Sequence, residues 1–369
     1  MSRTLVSVQT ISRIEPIPGA DRIVLAHVLG WKVIISKDMH LSVGNKVAYF
    51  ETDSLLPESD PRYTQFMPRG IRHMRLEDGA MVTGHVLRTM KMRGVYSQGL
   101  VMRLDDLGLP DTLPVGTDIT EACNVIKYEP PVFTDRGNNR QDKAQQRAAQ
   151  GIIGEFTAPC SKSDAPRAQT LTAIWDDLCA LESIPTVKVD GTSLTFFFDG
   201  SELHMYSRNY ELDPTTPNWR DACQLAREYF TSDLGGLKVF DIGVDMCVQA
   251  EYVGPGINGN RQKLAKRDLF VFAVWQDGEK LPRDEWEDSF LAHAAPEVNQ
   301  WEYPITSDMD TLISAVDGMR GHITPNMLDE GVVWHLNPTQ RIPNNVREAL
   351  GDNLCFKIIN NTYLTKHHL

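Results

Sequence analysis

Lys188-Val189-Asp190-Gly191 is the segment with the clearest chemical potential. On a strand, Lys188 and Asp190 would share a face, because side chains alternate. Gly191 would permit a close approach by a ligand or a sharp turn. A lysine becomes a nucleophile only when its ammonium loses a proton. Desolvation, a neighbouring cation or a metal can favour that loss. Alone, the tetrapeptide is weak, since an exposed strand lysine is the commoner explanation. Further chemistry-bearing segments follow it in order. They are Ser207-Arg208-Asn209, Glu251-Tyr252-Val253-Gly254, Phe270-Val271-Phe272, Asp329-Glu330-Gly331-Val332-Val333 and Phe356-Lys357-Ile358-Ile359. Each has a plain structural explanation by itself: a surface cation, strand-end acids, core aromatics.

Taken together, the six segments resemble the ordered motifs of the covalent nucleotidyltransferases, the superfamily of ATP-dependent DNA ligases, RNA ligases and mRNA capping enzymes. The resemblance implies a role for each residue. Lys188 would attack the α-phosphorus of ATP, expelling pyrophosphate and leaving a lysyl-AMP phosphoramidate. Asp190 would orient the ribose or a hydrated metal. Arg208 would grip phosphate in a bidentate contact that lysine cannot copy. Glu251 would bond ribose hydroxyls or metal-bound water, and Phe270 or Phe272 would stack on adenine. Glu330 would bring negative charge to a magnesium or manganese ion or its waters. Lys357 would contact the α-phosphate and help keep Lys188 neutral. Asp190, Glu251 and Glu330 form the implied metal set.

The elements that must position these groups divide the chain. Residues 1–125 read as β-rich, with short apolar runs such as RIVLAHVLG, WKVIIS and KVAYFE. Turn pairs Pro18-Gly19, Gly44-Asn45 and Asp78-Gly79 separate such runs, and the pattern suggests a small barrel such as an OB-fold. Residues 126–154 read as a linker, with paired prolines and many Gln and Arg. In residues 155–369 strands and helices mix. Leu171, Ile174, Leu178 and Leu181 predict a helix over TLTAIWDDLCAL. Asp199-Gly200 predicts a hairpin between two strands after Lys188. The expected class is α+β: an N-terminal β-barrel OB-fold, then a nucleotidyltransferase domain of ATP-grasp-like antiparallel sheets with flanking helices.

Composition narrows the partners. The net charge of −12 argues against a general nucleic-acid coat. It leaves room for a local basic face. Arg62, Arg69, Arg72, Arg75, Arg88, Lys91, Arg93 and Arg103 stand against Glu77 and Asp78 alone in their stretch. Of these, Arg88, Lys91 and Arg93 are the expected nucleic-acid contacts, a solvated face being the alternative. The six cysteines form no CxxC or Cys/His ligand cluster, which fits a reducing compartment and argues against structural zinc. No run of apolar residues is long enough to span a membrane, and the N-terminus lacks a signal-peptide core. The expected protein is a cytoplasmic monomer without membrane contact.

The segments IEPIPGADRIVLAHVLGWKVII and VGNKVAYFETDSLLP resemble the N-terminal OB module of RNA ligases of the Deinococcus radiodurans and Naegleria type. SKSDAPRAQ resembles the segment upstream of the nucleophile in that family. Only twelve residues follow Lys357, leaving no room for the downstream OB domain normal in DNA ligases and capping enzymes. The resemblance implies sealing of 5′-phosphate/3′-hydroxyl breaks in RNA or an RNA-containing nicked duplex. The alternatives are a DNA ligase, a capping-type transferase, or a nucleic-acid-binding protein with an inactive transferase domain. One departure matters: many ligases carry two lysines two apart in the last motif. Here Cys355 and Ile359 flank Lys357, and Lys366 is the late substitute.

Overall fold

β1 (Val6–Pro16) is long and bent, and that bend organises the N-terminal third of the chain. Its first half pairs with β4 (Lys46–Phe50) and its second half with β2 (Ile23–Val28). The register slips at Ser12, so this extra residue lets one strand serve both pairings. The Ser12 hydroxyl donates to the His27 carbonyl at 3.2 Å and ties the bulge down. A computed structural model describes residues 4–76, 80–129, 150–199, 202–230, 245–303, 305–306 and 308–369.

Two units emerge. The first comprises residues 1–131 with 169–172 and 364–369. Its larger sheet has the order β10-β4-β1-β2-β3, with β3 at Trp31–Ser36 and β10 at Leu100–Met102. The second sheet has the order β11-β5-β7-β6, and a hairpin of β8 and β9 stands apart. These strands are β5 (Ser54–Pro57), β6 (Arg72–Arg75), β7 (Met81–Val86), β8 (Met90–Met92), β9 (Val95–Ser97) and β11 (Ile126–Lys127). Alternation fills the core: Trp31, Val33 and Ile35 of β3 are buried, and the residues between them are part-exposed. This is the expected barrel. Asp78-Gly79 lies outside the described residues.

The second unit comprises residues 132–168 and 173–363. A seven-stranded sheet has the order β12-β16-β15-β14-β17-β18-β19. The strands are β12 (Ile152–Glu155), β14 (Thr192–Phe198), β15 (Leu203–Tyr206), β16 (Tyr210–Leu212), β17 (Met246–Val253), β18 (Asp268–Gln276) and β19 (Glu279–Lys280). A three-stranded sheet joins β13 (Ser183–Lys188), β20 (Gly331–Leu336) and β21 (Cys355–Ile359). All pairings described in both sheets are antiparallel. The helix Arg220–Phe230 covers the large sheet, burying Ala222, Ala226 and Phe230 against Phe196 and Val248. No helix among the described residues is long and apolar enough to cross a membrane.

Two readings of the sequence meet a different structure. The helix expected over residues 170–181 shrinks to Trp175–Cys179, after a three-ten turn at Thr172–Ile174. Its N-cap, Ile174, has no side-chain oxygen to satisfy the first turn, and β-branched threonines ahead of it disfavour an earlier start. The stretch read as linker begins and ends in strands, β11 and β12. Its middle, 130–149, lies outside the described residues, as does Gly200 of the expected hairpin between β14 and β15.

The small sheet is stiffened by aromatics. Phe356, fully buried, stacks on Trp334 at 5.3 Å and meets Trp175 edge-on at 5.6 Å. Phe356→Ala should cost about 3–5 kcal/mol of unfolding free energy, the usual range for emptying such a site. Urea denaturation checks this, and a loss below about 1 kcal/mol would show that the sheet does not depend on the stack.

Candidate active site

Lys188 is the last residue of β13 and lies opposite Gly331, the first residue of β20. Gly331 in turn lies opposite Ile359 of β21. A Cβ at Gly331 would sit 2.2 Å from the Ile358 carbonyl oxygen, so only glycine permits this approach. The close strand contact sets Glu330 at the mouth of β20. There its carboxylate accepts a hydrogen bond from the Lys188 ammonium at 2.6 Å. Gly191 does a similar job toward β17. A Cβ there would fall 2.4 Å from the Tyr252 carbonyl oxygen and 3.0 Å from Glu251 Cγ. The glycine of the lysine motif thus serves strand packing.

A cavity of about 220 Å³ opens between the two sheets of the second unit. Lys188, Arg208, Glu251, Phe270, Phe272 and Lys357 all line it. Glu330 joins them through its bond to Lys188. Asp190 does not line the cavity. β13 ends at Lys188, so strand alternation no longer governs Asp190. Its carboxylate accepts from Arg261 at 2.7 and 3.0 Å and from the Tyr363 hydroxyl at 2.6 Å.

Electrostatics sets the resting state. Burial pushes Lys188 toward the neutral amine, but Glu330, Glu251 and Asp190 outweigh it and raise its pKa above the ordinary lysine value. Without ligand, then, Lys188 is an ammonium. Burial, opposed by Lys188 but helped by Glu330 and Asp190, pushes Glu251 up to about 8. Burial likewise raises Glu330, against the pull of Lys188. Arg208 is tied to Asp164 at 2.7 Å in a half-exposed pair. Among the described residues no group of three His, Cys, Asp or Glu side chains forms a ready metal cage. The buried carboxylates of Glu251 and Glu330 nevertheless suit a hard divalent cation that keeps part of its water shell.

β17 and β18 slip register at one place: Ala250 faces Val271 while Gln249 faces Ala273. Phe272 is the extra residue, and such bulges re-aim side chains. Phe272 and Ala273, neighbours in sequence, accordingly both line the cavity. Other lining or supporting groups carried no motif: Thr186, Gln249, Lys280, His335, Arg261 and Tyr363. Lys366 does not line the cavity.

The other predicted contacts lie in the first unit. Arg88 donates to the His368 carbonyl, and Arg93 donates to the Gly19 carbonyl at 2.6 Å. Lys91 lies over the Tyr96 ring, 4.6 Å from its centroid. Carbonyl acceptors fix the arginine side chains without cancelling their charge.

Comparison with known proteins agrees with this fold. Residues 5–104 match an OB-fold domain family, and residues 182–352 match the RNA ligase family. No curated protein sequence matches the chain. Among solved structures, a lysine-to-alanine variant of Naegleria gruberi RNA ligase with ATP and manganese is similar at 26% identity and TM-score 0.78, covering 99% of each chain. A glutamate-to-alanine variant of that ligase with AMP and manganese is similar at 26% identity and TM-score 0.78, again over 99% of each chain. The same ligase with pyrophosphate has 26% identity and TM-score 0.77, covering 100% of this chain and 99% of that one. Fold and site together define a ligase domain preceded by an OB-fold domain. Residues 182–352 thus resemble the RNA ligase family, within a fold shared with the Naegleria ligase over nearly the whole chain.

The acid cluster makes a pH prediction. Glu251 has a folded pKa of about 8 against an ordinary 4.5, so its contribution is complete below about pH 4.5 and is lost as pH rises toward 8. Glu251→Gln should therefore gain stability relative to the wild type across that window, with the difference flat at higher pH. Thermal melts at a series of pH values read this directly. A difference independent of pH would mean that Glu251 is ionised throughout.

Proposed function

We propose that this RNA ligase seals 5′-phosphate/3′-hydroxyl breaks with ATP, through an AMP carried on Lys188. The observation that carries the reading is Lys188, inside a cavity with two phenylalanines and held by the Glu330 carboxylate. Lys188 Nζ attacks the α-phosphorus of ATP, its nitrogen–phosphorus bond forms, and pyrophosphate leaves. The AMP passes to the 5′-phosphate of a strand. A 3′-hydroxyl then attacks that phosphate and releases AMP.

The ammonium must first lose its proton. A magnesium or manganese ion held through Glu251 and Glu330 would offset the carboxylate charge that keeps Lys188 protonated. Lys357, whose charge already acts on Glu330, stands on the adjacent strand to balance the developing phosphate charge. Arg208 exchanges Asp164 for phosphate. Phe270 or Phe272 stacks on the base. Asp190 holds Arg261 and Tyr363 in place beside the lysine and orients the ribose or a hydrated metal through them. The break lies in a duplex whose 3′-hydroxyl strand is RNA, and the 2′-hydroxyl is the group that permits this choice.

With ATP and manganese, the intact protein should gain the mass of one AMP, and Lys188→Ala should not. GTP should give no adduct. An adduct of equal yield on Lys188→Ala would remove Lys188 from the reaction. On nicked duplexes, sealing should be faster when the 3′-hydroxyl strand is RNA than when it is DNA.

The β8–β9 hairpin supplies phosphate contacts through Lys91 and Arg93, joined by Arg88 just ahead of it. Lys91→Ala should weaken binding to a nicked duplex and flatten the dependence of log affinity on log salt by about 0.7–0.9. An unchanged slope would take the hairpin out of the nucleic-acid interface.

A further inference from the structure

The cavity has a second end, and strand register locates it. Gly331 faces Lys188, whereas His335, four residues along β20, faces Ile184 and Cys355. At strand rise this is roughly 13 Å away. Lys280, on the edge strand β19, reaches this end and donates to the Asn353 carbonyl at 2.5 Å. Lys188 and Arg208 in the same cavity each have a carboxylate. Lys280 has none among the described residues. Burial lowers its pKa, as expected for a cation without a counter-charge.

A buried ammonium left without an acid costs stability. Its surroundings indicate what would offset that cost. His335 bonds the Thr186 hydroxyl through Nε2 at 3.1 Å, and its Nδ1 is buried with no partner among the described residues. Burial, helped by the charges of Lys280 and Arg283, drives the His335 pKa well down, so the ring is neutral. Phe272, Ala273, Asn353 and buried Cys355 also line the cavity. Lys280 and Arg283 act on His335 and Lys357 acts on Cys355, but Arg283 is paired with Glu297 and does not line the cavity. A flat, uncharged base would find an apolar slot, one obligate donor and one neutral imidazole able to accept.

We propose that Lys280, with His335, reads the edge of the purine base and selects adenine, the ammonium donating to ring nitrogen N1. This rests on the reading of the cavity as an ATP site. Adenine presents an acceptor at N1 beside a donor amino group, and Lys280 and His335 present the complement. Guanine carries N–H at that ring position, which opposes the ammonium donor to donor. Lys280 comes from β19 to stand near Cys355, one of the two flanks of Lys357 at which the sequence resemblance would allow a second lysine.

The test compares ATP with 1-deaza-ATP, in which N1 is replaced by C–H, in Lys188–AMP formation by the full-length chain. Wild type should use 1-deaza-ATP at least about tenfold less efficiently, the factor expected when a hydrogen bond to a charged group is lost. Lys280→Met should bring ATP down to the 1-deaza-ATP level and leave 1-deaza-ATP unchanged. Lys280→Gln, which keeps a donor, should retain part of the discrimination. Both variants should melt no lower than wild type, because an unpaired buried charge has been removed. Equal slowing of both nucleotides by Lys280→Met would make Lys280 a phosphate contact and overturn the proposal, as would no effect on either. Absence of any adduct on wild type would instead overturn the ATP-site reading beneath it.

Discussion

The 2.6 Å contact between Lys188 and Glu330 is the interaction on which the rest of the site depends. A buried ion pair contributes little net stability, because desolvating both charges offsets their attraction. Its significance here is the charge it leaves over. Glu251 and Asp190 also act on Lys188, so carboxylates outnumber the lysine they surround. Two consequences follow from that excess. Lys188 is held as an ammonium, and Glu251 retains its proton near neutral pH. The resting site is thus closed to nucleophilic attack by the same acids that would draw in a divalent cation. A cation arriving there relieves both constraints together.

Glycine makes that crowding possible. At Gly331 and Gly191 a single methyl would collide with a backbone carbonyl of the neighbouring strand. Those two contacts bring β20 against β21 and the residue after the Lys188 strand against β17, close enough for side chains from separate strands to share one volume. The glycines of two sequence motifs therefore belong to the scaffold, and the charges beside them belong to the chemistry. The buried stack of Phe356 on Trp334 holds β20 and β21 together one strand away from Lys188.

Most of the candidate site was legible in the sequence because its residues sit at fixed offsets within strands. Lys188, Glu251, Glu330 and Lys357 follow from that ordering, and the structure gathers them. The OB-fold was legible from strand-and-turn punctuation, although the bulge at Ser12 that bends β1 left no compositional trace. Asp190 lies past the end of β13, where alternation no longer applies; it holds Arg261 and Tyr363 while its charge still acts on Lys188. Lys280 was invisible for another reason. It stands on a two-residue strand after a tight turn, and it reaches the cavity through the pairing of β18 with β19. Local spacing carries no information about such long-range placement.

The bulge at Phe272 shows why the base end was the harder half to read. In a regular strand Phe270 and Phe272 share a face and Ala273 turns away. With Phe272 as an extra residue, the pleat changes phase, and Phe272 and Ala273 line the cavity together. The same shift sets the phase of everything after it on β18. Trp275 becomes the partner of Lys280, which fixes where β19 presents its ammonium. Deleting one residue at the bulge would restore strict alternation and rotate Trp275 to the opposite face. The position of the base-reading lysine is therefore set by an irregularity several residues upstream, on a strand whose visible motif concerns only stacking.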